Sequence, residues 1–187
     1  MKRDFGFFCR RYEQIEDDFL KILDFIDIKE NFQKPCYKIG SSKLMDFCLK
    51  VGTEVETLFG IILESPEFDS EPDITKYRKR KNQNIQVYID LIEPKYNLSD
   101  YKLTINPINR NIQPFTDFKR SKAPQWFQIY SRHKHNKIEL IERWNLKHSL
   151  FSLGGLLILV VNIPPPSSDS YRFYLMRRRV FGKLYHR

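Results

Sequence analysis

The stretch best equipped for chemistry runs Pro124-Gln-Trp-Phe-Gln-Ile-Tyr-Ser-Arg-His-Lys-His-Asn-Lys137. Residues four apart share one face of a helix. A helix here therefore sets Trp126, Tyr130 and Lys134 in one row, and Phe127, Ser131 and His135 in the next. Aromatic rings beside a hydroxyl, an imidazole and cations suit the gripping of phosphate and the stacking of a base. His135 titrates near neutral pH and is the candidate for proton transfer, with Ser131 and Tyr130 as its companions. Arg132, Lys134 and Lys137 are the candidate phosphate or RNA contacts, and Trp126 stacks or buttresses.

Each of these residues also has a plainer role open to it. Trp126 fits a helical core, Lys134 and Lys137 fit a solvated face, and His135 alone fits an ordinary surface. His133 and His135 stand two apart, so on a helix they point to opposite sides, and no third ligand lies nearby. Neither a metal site nor a cofactor is expected from them.

Two segments together resemble the HEPN superfamily (higher eukaryotes and prokaryotes nucleotide-binding). The first resembles the pattern W-x-x-x-Y-N-x-x-K-H-x-R through Trp126, Tyr130, Ser131, Lys134, His135 and Lys137. It is followed by the helical run Trp144-Asn-Leu-Lys-His-Ser-Leu-Phe-Ser-Leu-Gly-Gly-Leu156. The second is Tyr37 to Glu56, where a Tyr- and Ser-bearing turn leads into a helix carrying Glu54 and Glu56.

The resemblance implies a dimeric, metal-independent RNA-cleaving site, in which His assists at the ribose hydroxyl and Arg stabilises the phosphorane. Here Tyr130 stands where that Arg belongs, with Ser131 as the polar residue and His135 as the histidine. Arg132 lies only three residues before His135, the wrong spacing. A phenol offers one weak donor where guanidinium offers a permanent charge and a planar fork. Glu54 and Glu56 stand two apart, so only one of them can meet Lys134, His135 or Arg143. Those two acids, Arg143 and Asn145 are the expected supporting residues.

Helices must position these groups. Apolar spacing predicts one over Tyr12–Ile26 and a second, capped by Ser41 or Ser42, with Leu44, Phe47, Cys48, Val51, Val55, Leu58, Phe59 and Ile62 inward. Asp73 is a cap for a third, running through Ile74 and Ile92 to about Pro94. Residues 96–124 read as a long connection with a short extended piece at Tyr101–Ile105. Pro124 then opens a helix through Lys137. The most apolar helix spans Asn145–Val161, where Gly154-Gly155 marks close approach to a neighbour.

Pro164-Pro165-Pro166 stops it. Beyond lies a Ser-rich linker and then Tyr171–Leu184, which reads as a strand, a β-ribbon or an arginine-rich arm. The expected fold is mainly α: an up-and-down bundle of four to five helices, with room for a short strand near the end. Residues 1–163 form the helical domain, and residues 164–187 the linker and basic tail.

The formal net charge of +9 is concentrated downstream, in residues 76–81, 119–147 and 171–187, whereas residues 1–65 are slightly acidic. Such a distribution attracts nucleic acid or an acidic partner. Cys9, Cys36 and Cys48 form no ligand spacing and suit a reducing compartment. Leu150–Ile163 falls short of the roughly 20 residues needed to cross a bilayer and reads as a buried helix. The resulting expectation is a cytoplasmic HEPN-like module that binds RNA or a nucleotide, as a homodimer or with a partner protein, in a bacterial defence or toxin–antitoxin setting. Two alternatives stay open: a dimeric endoribonuclease with His135 catalytic, and a non-enzymatic interaction domain.

Overall fold

A computed structural model describes residues 5–26, 40–72, 74–79, 84–106, 108–135, 143–162 and 179–185. The chain is mainly helical, with a small antiparallel sheet. Its elements are α1 (Phe5–Leu23), α2 (Ser42–Leu63), α3 (Ile74–Lys79), α4 (Ile85–Tyr96), β1 (Lys102–Ile105), β2 (Arg110–Ile112), α5 (Gln125–His135), α6 (Leu146–Asn162) and β3 (Phe181–Tyr185). Pro35, Asp73, Lys137, Arg80 and Lys81 of the basic run, and Pro164 to Pro166 lie outside the described residues, as does the side chain of His135.

The centre of the fold is the α2–α6 pair, with α1 and α5 each resting on both and α3 and α4 on α2. Every residue of the apolar stripe expected on α2 is buried. That is what helical periodicity requires of a helix with one face turned to the core. α6 is buried from Leu146 to Val160 except at Lys147, which is exposed, and Phe151, which is half-buried. It is the core around which the others pack. Among the described residues no helix is long and apolar enough to cross a membrane.

Local chemistry sets the helix ends. Asn145 accepts the N–H of His148 on its side chain at 3.1 Å, satisfying one of the free donors at the start of α6. α4 runs two residues past Pro94 and stops at Asn97, whose left-handed backbone returns its N–H to the Glu93 carbonyl at 2.8 Å. α5 starts one residue after Pro124, whose carbonyl receives the N–H groups of Phe127 and Gln128.

The long connection holds more order than its sequence suggests. The extended piece expected there is β1, which pairs with β2 on one side and β3 on the other. β3 carries an irregularity opposite Thr104, between the Leu103–Leu184 and Ile105–Phe181 pairs. Its first residue, Phe181, and Val180 just before it are buried. Val180 and Phe181 thus belong to the same apolar core as the helices, with Leu184 packed against it. The linker between them lies outside the described residues.

Candidate functional site

α5 is seated on two glycines. A Cβ at Gly155 of α6 would stand 2.9 Å from Cζ2 of Trp126, and one at Gly52 of α2 would stand 2.2 Å from Cδ2 of Tyr130. Without side chains, both helices let a large ring lie against their backbones. Phe127 fills the space between those rings, edge-on to each. Gly154, the other half of the expected close approach, faces Leu103 and Pro114 instead of a helix.

This seating fixes which side of α5 meets water. Trp126, Phe127, Ile129, Tyr130 and His133 are buried, while Gln125, Gln128, Ser131, Arg132 and Lys134 are exposed. Trp126 donates its indole N–H to the Pro114 carbonyl at 2.9 Å, which satisfies the polar end of a core residue. Trp126 and Tyr130 therefore buttress the helix and present no open face on which a base could stack. His133 lies edge-on to Trp144, with ring centroids 5.5 Å apart.

The row Trp126–Tyr130–Lys134 climbs from core to surface and ends on Glu56. One oxygen, Oε2, accepts the Tyr130 hydroxyl at 3.0 Å and the Lys134 ammonium at 2.8 Å. Lys134 also sits 6.0 Å from the centre of the Tyr130 ring. Burial, aided by the negative charge of Glu56, pushes the Tyr130 hydroxyl up to about 12, so near neutral pH it donates a proton and supplies no base.

Glu54 points the other way and pairs with Arg11 at 2.8 Å. The two acids thus divide as their spacing requires: one faces α5, the other α1. The neighbours before α6 serve its cap. Asn145 closes the helix start, and the Arg143 carbonyl accepts from Nδ1 of His148 at 2.6 Å. Arg143 itself is exposed. In the second row, Phe127 is buried and Ser131 exposed, so these two do not share an environment.

Two determinants were not read from the sequence. Gly52 sits on the buried stripe of α2 four residues after Cys48, and a glycine on the inward face of an apolar helix is the signal for a close approach; Gly60, the other glycine of α2, is off that stripe. Arg11 carries no signal of its own, since its partner lies 43 residues away.

No family model, curated protein or solved structure matches the chain.

Proposed function

We propose that this chain is an HEPN-like module that binds the phosphate backbone of RNA without cleaving it. The observation that carries this reading is the Tyr130–Glu56–Lys134 arrangement. Where a nuclease of the type resembled would hold a free guanidinium, a phenol is tied down on a carboxylate. It has neither the charge nor the freedom to stabilise a phosphorane. The burial of Trp126 and Tyr130 also favours contact through charge over contact through stacked bases.

Charge on the outer face of α5 comes from Arg132 and Lys134, and just before the helix Arg120 and Lys122 are exposed, as is Lys119, whose charge is partly met by Asp100. The Lys134 charge is partly met by Glu56, which leaves Arg132 as the leading phosphate contact on α5. Lys137 and His135 belong to the same proposal on the strength of their sequence positions. A second copy or a partner protein and a bacterial defence or toxin–antitoxin setting complete it and follow from the resemblance alone, while a cytoplasmic location follows from the cysteines, which suit a reducing compartment.

The test is binding of a fluorescent single-stranded RNA by anisotropy across a salt series. Affinity should fall steeply with salt, and Arg132→Ala should weaken binding and reduce the salt slope by about 1. RNA incubated with the protein and a chelator should remain intact. Absence of binding at low salt sinks the proposal. Cleavage that survives the chelator and disappears in His135→Ala replaces it with the nuclease.

A further inference from the structure

The least expected polar group in the core is Glu16. It stands between Ile15 and Phe19 on the inner side of α1 and is only 2% exposed. A carboxylate so placed needs donors, because desolvating it without them is very costly. Tyr12, one turn away, supplies one at 3.3 Å. The others come from the far end of the chain: the backbone N–H groups of Arg179 at 3.2 Å and Val180 at 3.0 Å, both on Oε1.

The opposite side of the same two residues is held by Asn106. Its side chain donates to the Arg179 carbonyl at 3.2 Å, and its backbone N–H to the Val180 carbonyl at 3.0 Å. The Arg179 guanidinium pairs with Asp17, next to Glu16. Val180 and Phe181 then bury their side chains completely, and β3 continues along β1. Every backbone polar group of Arg179 and Val180 is thereby engaged, by Glu16 of α1 and by Asn106, the residue that follows β1.

We infer that the surface formed by α1 and β1 is a peptide-docking site, whose resident occupant is this chain's own residues 179–185. The ligand class it selects is a segment that bends at its first two residues, so that two successive N–H groups face one carboxylate oxygen, and runs extended from the third, with a basic side chain at the first position and apolar side chains at the next two. Glu16 reads the N–H pair, Asp17 together with the second oxygen of Glu16 at 4.0 Å reads the basic side chain, and the core reads the apolar pair. Proline at either of the first two positions is excluded, since it has no N–H. This inference stands apart from the phosphate-binding reading, and neither depends on the other.

A docked segment opens locally, ahead of the fold that carries it. Hydrogen exchange followed by mass spectrometry on the full chain tests this. Amides of residues 181–185 should exchange at least about tenfold faster than those of α6, and Glu16→Gln should speed them about a further tenfold, because the hydrogen bonds lost are charge-assisted. Asp17→Asn, a surface change that leaves the core untouched, should speed them about two- to fivefold. Equal protection of residues 181–185 and α6 in the unaltered chain would make β3 an ordinary core strand and overturn the inference. So would exchange at residues 181–185 that neither substitution moves.

Discussion

The ring of Tyr130 lies directly on the backbone of Gly52, so close that a Cβ there would stand 2.2 Å from one ring carbon and 2.5 Å from two more. Phe127 packs edge-on to the same ring at 5.5 Å, which leaves it little room to withdraw. This contact, more than any pairing of charges, sets the height of α5 over α2. It also determines that the Tyr130 hydroxyl reaches Glu56.

Gly52→Ala should therefore destabilise the fold by about 1–3 kcal/mol, although alanine favours a helix by about 1 kcal/mol over glycine. Gly60, in the same helix, has nothing within 4 Å of its added Cβ and is the control. Gly60→Ala should be neutral or stabilising by up to about 1 kcal/mol. Urea unfolding of both variants measures the contrast, and equal effects would show that the Tyr130 contact does not govern the packing.

Glu56 holds Lys134 at 2.8 Å, with about half of the lysine side chain exposed. An ion pair so open contributes little to stability, so Glu56→Gln should cost less than about 1 kcal/mol from the lost pair. Its effect on RNA should be larger and opposite in sign, because the Lys134 charge is released towards phosphate. Anisotropy titration should show tighter binding and a steeper salt dependence; weaker binding would mean that Glu56 holds Lys134 in the productive position.

Cys48 is buried against Ser149, 3.2 Å away, and burial pushes its thiol up to about 12. A folded-state value above the unfolded one means that the folded protein keeps the proton longer. The stabilisation is complete below the ordinary thiol value of about 8.5 and is lost as pH rises towards about 12. Urea midpoints should thus fall above about pH 8.5, and less steeply in Cys48→Ala. A thiol reagent at pH 8 should leave Cys48 unmodified until the protein unfolds.

His148 behaves in the opposite sense. Burial holds its imidazole below the ordinary value, opposed by the hydrogen bond to the Arg143 carbonyl, with Lys147 adding repulsion. The neutral ring is favoured in the fold, so its stabilisation is present above about pH 6.5 and is lost as pH falls through the lower folded value. Thermal unfolding at pH 5 and pH 7 should differ, and His148→Gln should narrow the gap. An unchanged gap would assign the acid sensitivity to other groups.

Much of the framework was legible from periodicity. The inward stripe of α2, the buried α6 and its Asn145 start follow from apolar spacing and capping chemistry, which act over a few residues. The third helix was legible only in part: its apolar residues divide between α3 and α4. β2 escaped notice because three residues, two of them exposed, carry no alternating pattern. The division of Glu54 and Glu56 between two neighbours was readable from their spacing, whereas Arg11 as a partner was not.

The amino-acid sequence by itself determined that this chain forms helices around an apolar pair, and that α5 brings aromatic, hydroxyl and cationic groups together in rows. Those properties are local, set by residues within one or two turns of each other. Tertiary structure alone decided which row faces water, that Tyr130 is held by Glu56, and that a strand near the end returns to a carboxylate on the first helix. Each depends on contacts between residues far apart in the chain, where a missing Cβ or a buried charge takes its meaning only from what packs against it.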